Sequence, residues 1–449
     1  MTDENRFEEL LELVKEKKFV QLKKILIEMN EVDVAEFICE AEEEKMVIIF
    51  RMLPKDISAD VFANLPIEVQ HHIIKSISDR EVSLIIEDLF VDDAVDMLEE
   101  LPATVVKRVL RAANPDTREL INKFLKYPEN SAGSVMTAEY IALKKHMTVG
   151  EAIDYIRKNG VDKETIYTCY VTDDTRILEG VVSFRELIMN PYETLLGDIM
   201  DENVIKAVTT DDREEVVESF NKYDLIALPV VDTENRLVGI ITVDDAVDVM
   251  EQEATEDFEK MAAMLPSEKP YLKTGVFRLA ANRIPWLLVL MISSMLTGGI
   301  LAKYEQAFAV IPLLVTFIPM LTDTGGNAGS QSSTMIIRGM AVGEIKSGDF
   351  LRVFWKEFRV ALICGAVLAA VNFIRLQITN PGNGLIIITV VISLYVTVLL
   401  AKTIGGLLPM AAKALKLDPA IMASPLITTI VDAVSLVVYF QLAVKILGI

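Results

Sequence analysis

Beyond about Arg278 the chain carries five long apolar segments. The first, Ile284–Leu301, runs eighteen residues without a charge. The second begins at Ala307, the third lies near Val360–Ile374, and the last two are Leu385–Ala401 and Ala420–Val444. Each is near the length that lets a helix cross hydrocarbon, so the pattern predicts a five-helix membrane region. The second segment runs into the polar stretch TDTGGNAGSQSST, 322–334. Within it Gly325, Gly329 and Ser333 recur every four residues, a spacing that lets helices approach closely. Polar groups at that depth are tolerated when they are buried or line a watery path. The stretch is therefore expected to form the inner half of the second helix, near the cytoplasmic mouth of a pore.

Upstream, the periodicity is different. Residues 1–130 place Leu, Ile, Val and Phe at three- and four-residue spacing among charges, which predicts short stacked helices. Leu53-Pro54, Leu65-Pro66 and Leu101-Pro102 each precede a new helical pattern, where proline costs little. Residues 131–252 hold an internal repeat: GSVMTAEYIALKKHMTVGEAIDYI from Gly133 aligns with GDIMDENVIKAVTTDDREEVVESF from Gly197. Both copies share an apolar–Met pair, a strand, a helix, two strands around an Asp-containing turn, and a last helix. YVTDDTRILEGVVS and LPVVDTENRLVGIIT read as hairpins. Residues 243–264, VDDAVDVMEQEATEDFEKMAAM, continue into one acidic helical pattern.

Charge divides the chain in the same place. Residues 275–449 hold 7 acids and 13 Lys plus Arg, a net +6. The whole chain is −22, so residues 1–274 carry −28. Such a charge repels phosphate backbones and argues against nucleic-acid binding, while favouring cations. Lys and Arg cluster before the first segment (Lys273, Arg278, Arg283), after the second (Arg338, Lys346, Arg352, Lys356, Arg359) and after the fourth (Lys402, Lys413, Lys416). The positive-inside rule then predicts a multi-pass protein of the cell membrane, with its N-terminus cytoplasmic and its C-terminus outside. Three separated cysteines suit a reduced cytosol. The start MTDENRFEEL shows no signal-peptide pattern.

Asp432 carries the most chemical information. It stands midway along the last apolar segment, where a charge needs a polar cavity or a partner. Ser424, Thr428, Asp432, Ser435 and Tyr439 follow spacings of 4, 4, 3 and 4, which puts them on one helical stripe. No Lys or Arg is expected in the middle of any segment, so no ion-pair partner is expected. Carboxylate, hydroxyl and carbonyl oxygens suit Mg²⁺ or Ca²⁺ better than a soft metal. Mg²⁺ sheds water reluctantly and would be held largely hydrated. Two subunits could each supply one Asp432. On the acidic helix Asp245, Asp248 and Glu256 share a face, and Asp92, Asp93, Asp96, Glu99 and Glu100 offer a second acidic surface. Cations between the two would relieve the repulsion. The pair His71-His72 lacks a third ligand at metal spacing. No P-loop, HExxH or nucleophile–base pattern occurs, so no enzyme is expected.

The repeat resembles a tandem pair of CBS domains. The whole chain resembles the MgtE family of magnesium channels, through PMLTDTGGNAGSQSST (319–334), DPAIMASPLITTIVD (418–432) and VDDAVDVMEQEATED (243–257). The resemblance implies a homodimer embedded in lipid, built from a superhelical helical N-domain (1–130) and α/β CBS domains (131–192 and 193–252). An acidic connecting or plug helix (243–275) and a five-helix transmembrane domain (276–449) follow. It implies Mg²⁺ conduction down its electrochemical gradient, with closure by cytosolic Mg²⁺. Asp432 would be the pore carboxylate, with Ser424, Thr428, Asn327 and Asp323 as pore-lining candidates. The regulatory acids would fall on Asp212, Glu214, Asp224, Asp245, Asp248, Glu253, Glu256 and Asp257, with Asp92, Asp93 or Asp96 in the N-domain. Some members bind ATP in the CBS region, and Arg185 is a candidate contact here. The alternatives are a carrier for Mn²⁺ or Co²⁺ and a membrane-anchored nucleotide sensor.

Overall fold

The computed structural model describes residues 3–267, 271–305, 310–422 and 424–448. They form two compact units, Met1–Met250 and Glu251–Ile449.

The first unit opens with ten short helices, counted among the described residues, between Asp3 and Phe124. Their apolar faces meet in one core, with Phe37, Ile49, Phe62, Ile73 and Ile74 fully buried. Pro54, Pro66 and Pro102 each stand just before a helix, at Lys55–Ala63, Ile67–Ser76 and Ala103–Ala112. A proline there gives up no intrahelical bond. Ser78 and Glu81 close a capping box on Asp79–Asp88, and Arg51 grips the same Glu81 carboxylate at 2.8 and 3.0 Å. The Arg51 hydrogen bonds, with those from Ser78, pull Glu81 down to about 2.

The repeat folds into two sheets of the same topology. Strands β1 (Ala142–Leu143), β2 (Thr168–Thr172) and β3 (Leu178–Ser183) form one, with β1 parallel and β3 antiparallel to β2. Strands β4 (Ala207–Val208), β5 (Ala227–Val231) and β6 (Leu237–Thr242) repeat the arrangement, and each sheet has a register shift late in its central strand. The segment ahead of each copy pairs with the last strand of the other. Thr137 and Ile240 exchange backbone bonds of 2.7 and 2.9 Å, and Asp201 and Val181 exchange bonds of 2.9 and 3.0 Å. This exchange explains the apolar–Met pair that opens each repeat. Met136 packs where a Cβ on Gly239 would stand 2.7 Å from its sulfur, and Met200 does the same at Gly180, at 2.8 Å. The connecting helix, Val243–Met261, continues directly from β6.

In the second unit, four described helical segments are long and apolar enough to cross a membrane: Val276–Lys303, Ser347–Thr379, Gly384–Ala414 and Pro419–Leu447. The remaining expected segment, the second in chain order, is helical over Ile318–Ala341. At 24 residues it spans about 36 Å, but its polar composition sets it apart from the four. Its expected start, Ala307, lies outside the described residues, and a 3-10 turn, Pro312–Phe317, precedes the helix proper. The Gly-rich stretch does not break this helix. Gly325, Gly329 and Ser333 are buried in its interior face. A Cβ on Gly325 would meet Thr397, Val431 and Ser435, and one on Gly329 would meet Ile427 and the Ala401 carbonyl. The small residues thus let Gly384–Ala414 and the last helix, Ser424–Leu447, approach closely.

Several basic residues expected in the loops between segments lie inside helices instead: Arg338 in Ile318–Ala341, Arg352, Lys356 and Arg359 in Phe350–Thr379, and Lys402 and Lys413 in Gly384–Ala414. Lys402 does not lie in a loop, because the helix that starts at Gly384 continues to Ala414. Lys402 sits inside that helix and is only 6% exposed. A charge at the edge of an apolar run resembles a helix end in sequence alone. Helical hydrogen bonding is indifferent to that charge, and helix Ile318–Ala341 supplies its polar contacts.

Candidate functional site

Two clusters gather the acids that the sequence marks. The first is in the N-terminal unit. Helix Val91–Glu100 buries Val91, Ala94, Val95, Met97 and Leu98, which turns Asp92, Asp93 and Asp96 to its other side. Asp245, in the first turn of the connecting helix, is held by a 2.5 Å hydrogen bond from the Thr242 hydroxyl. Crowding by the surrounding protein and mutual repulsion act on all of these groups, although the Asp96 side chain is exposed. Burial, then Asp245 and Asp93, push Asp92 well above the usual carboxylate range. Burial and Asp245 push Asp93 up to about 6. Asp96 rises to about 7, through its crowded surroundings first and then Glu99 and Asp93. Burial raises Asp245 as well, with repulsion from Asp244 adding to it.

Glu164 completes this cluster and was missed in the sequence. It lies in the loop after helix Val149–Asn159, and its backbone N–H donates to the Glu139 carbonyl at 2.9 Å. Burial, then Asp245, Asp244 and Asp93, raise it to about 7. No periodicity marks a loop glutamate, so only the fold reveals it. Asp92 Oδ1 and Glu164 Oε2 are buried without a hydrogen-bond donor. Carboxylate oxygens that repel one another, two of them without a donor, are of the hard type that suits a divalent cation. Among the described residues no three such groups already converge as a closed metal cage.

The other marked regulatory acids are dispersed. Asp212 caps helix Arg213–Tyr223, accepting from Glu214 N at 2.9 Å, and Asp224 ends it in the left-handed conformation. Glu214 stands in the first turn of that helix. Asp248 and Glu253 lie along the connecting helix. Glu256 pairs with Lys260, whose ammonium also donates to Asp418 Oδ2 at 2.6 Å. Burial and the neighbouring Asp418 raise Asp257. Arg185 is exposed on helix Phe184–Met189. His72 meets Glu43 at 3.3 Å.

The second cluster is in the C-terminal unit. Asp432 is half-buried on the last helix, and its Oδ1 is buried without a hydrogen-bond partner. Asp323, on helix Ile318–Ala341, is the charged neighbour it feels. That helix leaves Asp323, Asn327, Gln331, Thr334 and Arg338 exposed, spaced 4, 4, 3 and 4, with Met335 the apolar neighbour beside them. Thr428 packs where a Cβ on Gly326 would stand 2.9 Å from its methyl. The Ser424 side chain lies outside the described residues. The lower half of the expected polar stripe has other work. Ser435 is fully buried beside Gly325, and the Tyr439 hydroxyl donates to the Leu314 carbonyl at 2.9 Å, holding the 3-10 turn.

Comparison with known proteins gives these clusters a context. Family models match residues 29–130 as the MgtE intracellular N domain, 132–192 and 196–252 as CBS domains, and 318–442 as MgtE, a divalent cation transporter. The magnesium transporter MgtE of Thermus thermophilus is 35% identical over 427 residues, covering 94% of both chains. The chain belongs to the MgtE family of magnesium transporters. MgtE of Bacillus subtilis is 31% identical over 443 residues, covering 99% of this chain and 98% of that one. The soluble part of a magnesium transporter has the fold of the N-terminal region, with TM-score 0.54 and 29% identity, covering 56% of this chain and 99% of that one. The cytosolic domain of the Mg²⁺ channel MgtE in complex with ATP gives TM-score 0.51 and 36% identity, covering 54% and 98%. Relatives of this kind are transporters, not enzymes. The fold follows the MgtE plan of helical N-terminal domain, tandem CBS domains and apolar C-terminal helices.

Proposed function

We propose that this MgtE-family chain is a Mg²⁺ channel of the plasma membrane. It works as a homodimer, imports Mg²⁺ down its electrochemical gradient, and closes when cytosolic Mg²⁺ is plentiful. The observation that carries the reading is the exposed stripe Asp323, Asn327, Gln331 and Thr334, beside the half-buried Asp432. At membrane depth a polar face cannot be left to lipid, so it calls for a water-filled path or a second copy of the chain. Carboxylate, amide and hydroxyl oxygens suit a hydrated hard cation as the transported substrate. Asp432 is the pore carboxylate, with Thr428, Asn327 and Asp323 lining the path. The Lys and Arg distribution keeps the N-terminus cytoplasmic and the C-terminus outside.

Asp92, Asp93, Asp96, Glu164 and Asp245 are the residues that hold regulatory Mg²⁺, with Asp248, Glu253, Glu256, Asp257, Asp212, Glu214 and Asp224 as further acids. A bound dication supplies charge neutralisation there. Without it, carboxylate repulsion drives helix Val91–Glu100, the Glu164 loop and the first turn of the connecting helix apart. With repulsion relieved the three elements cohere, and the connecting helix carries the difference toward the membrane unit. The coupling free energy is the difference in cation affinity between the two states. ATP is a further ligand of the CBS region, with Arg185 as a contact.

The test is Mg²⁺ flux into proteoliposomes of the full chain, across a series of Mg²⁺ concentrations on the cytoplasmic side. Uptake that falls as that concentration rises supports the reading. Flux insensitive to it removes the gating, and no flux revives a membrane-anchored sensor. Preference for Mn²⁺ or Co²⁺ in competition would reassign the substrate.

A further inference from the structure

Lys402 is buried in the membrane unit, in the interior of helix Gly384–Ala414. Its Nζ makes long contacts to Gln331 Oε1 at 3.4 Å and to Ser332 Oγ at 3.5 Å. Ser332 Oγ, itself buried, donates to Glu357 Oε2 at 2.6 Å. A buried ammonium without a nearby negative charge is strongly unfavourable. The carboxylate on the far side of Ser332 is placed to offset it. Gly406, one turn beyond Lys402, makes room for that carboxylate, since a Cβ there would stand 2.9 Å from Glu357 Cγ.

Three helices meet at this point. Ser332 is nine residues from the end of Ile318–Ala341, Glu357 seven from the start of Phe350–Thr379, and Lys402 twelve from the end of Gly384–Ala414. At 1.5 Å per residue these are roughly 10–18 Å along each helix. Gln331, which Lys402 touches, belongs to the exposed polar stripe of Ile318–Ala341. The Lys402 charge thus lies one side chain behind the stripe.

We propose that Glu357 is a charge-compensating positioning residue for the cation path. Through Ser332 it neutralises Lys402, which would otherwise present an uncompensated positive charge behind Gln331 to a passing dication. This inference rests on the reading that the stripe lines the path.

The experiment is Mg²⁺ uptake by the full chain in proteoliposomes, with Glu357→Gln, Lys402→Met and the double variant at equal folded yield. Glu357→Gln is expected to lower uptake about tenfold or more, because an unopposed charge repels a dication through low-dielectric surroundings. The double variant is expected to return to within about threefold of the parent, since the charge that needed compensation is gone. A merely structural role for Glu357 would not be repaired by removing Lys402. Parental uptake by Glu357→Gln, or a double variant as impaired as Glu357→Gln, overturns the inference while leaving the transport reading intact. Lack of flux in the parent overturns the transport reading and the path role with it. Thermal melting of the same four proteins in detergent reads the pairing independently of transport. Melting shifts that do not add support the compensation, and strictly additive shifts overturn it.

Discussion

Gly405 lies against the backbone of Gly329. A Cβ at Gly405 would come 2.2 Å from the Gly329 carbonyl oxygen, a contact that backbone cannot yield. The approach of helices Gly384–Ala414 and Ile318–Ala341 is therefore set by main chain against main chain.

Gly405→Ala should destabilise the membrane unit. Overpacking of this kind costs about 1–3 kcal/mol or more, which exceeds the roughly 1 kcal/mol that alanine gains over glycine in a helix. Melting in detergent checks the balance: a lower midpoint than the parent is expected. An unchanged or higher midpoint would show that the two helices can separate without loss.

The acidic cluster predicts a stability that depends on pH. Asp93, at about 6, and Asp96 and Glu164, at about 7, hold protons more tightly in the fold than in the unfolded chain. Where the native state binds more protons, stability falls as pH rises. With divalent cations chelated, the full chain should lose stability as pH climbs from about 4 to about 7. Added Mg²⁺ should flatten that loss, because a ligand of the native state stabilises it. A melting midpoint independent of pH without Mg²⁺ would contradict the cluster.

Asp92→Asn combined with Asp245→Asn should leave flux at low Mg²⁺ intact and weaken its suppression at high Mg²⁺. Inhibition curves for parent and variant make the comparison. Superimposable curves would remove these residues from regulation.

The Lys260–Asp418 pair ties the end of the connecting helix to the loop before the last helix, at 2.6 Å. Lys260→Met should lower stability by about 1 kcal/mol, with the loss shrinking at high salt. Melting at low and high ionic strength tests this. An effect that grows with salt would point to packing rather than charge.

Much of this was legible in the sequence, and for identifiable reasons. The repeat from Gly133 and Gly197 revealed paired α/β domains, because each sheet keeps the same turn and strand signals. Its apolar–Met pair had no evident purpose until each Met was found on the glycine of the other sheet. Gly325, Gly329 and Ser333 announced close helix packing through their spacing alone. Lys402 was illegible, because a charge inside an apolar helix looks like its end until a neighbouring helix shows its contacts. Glu164 was illegible because its role depends on which helices surround a loop. The stripe through Tyr439 divided because helical spacing predicts a shared face but not what each level of that face meets.

Asp432 is proposed to hold the conducted cation. The most direct measurement is Mg²⁺ uptake into proteoliposomes by the parent chain and Asp432→Ala, at low Mg²⁺ on the cytoplasmic side. Both proteins should reconstitute and melt alike, with uptake by the variant at the level of empty vesicles. Parental uptake by Asp432→Ala would remove Asp432 from the conduction path.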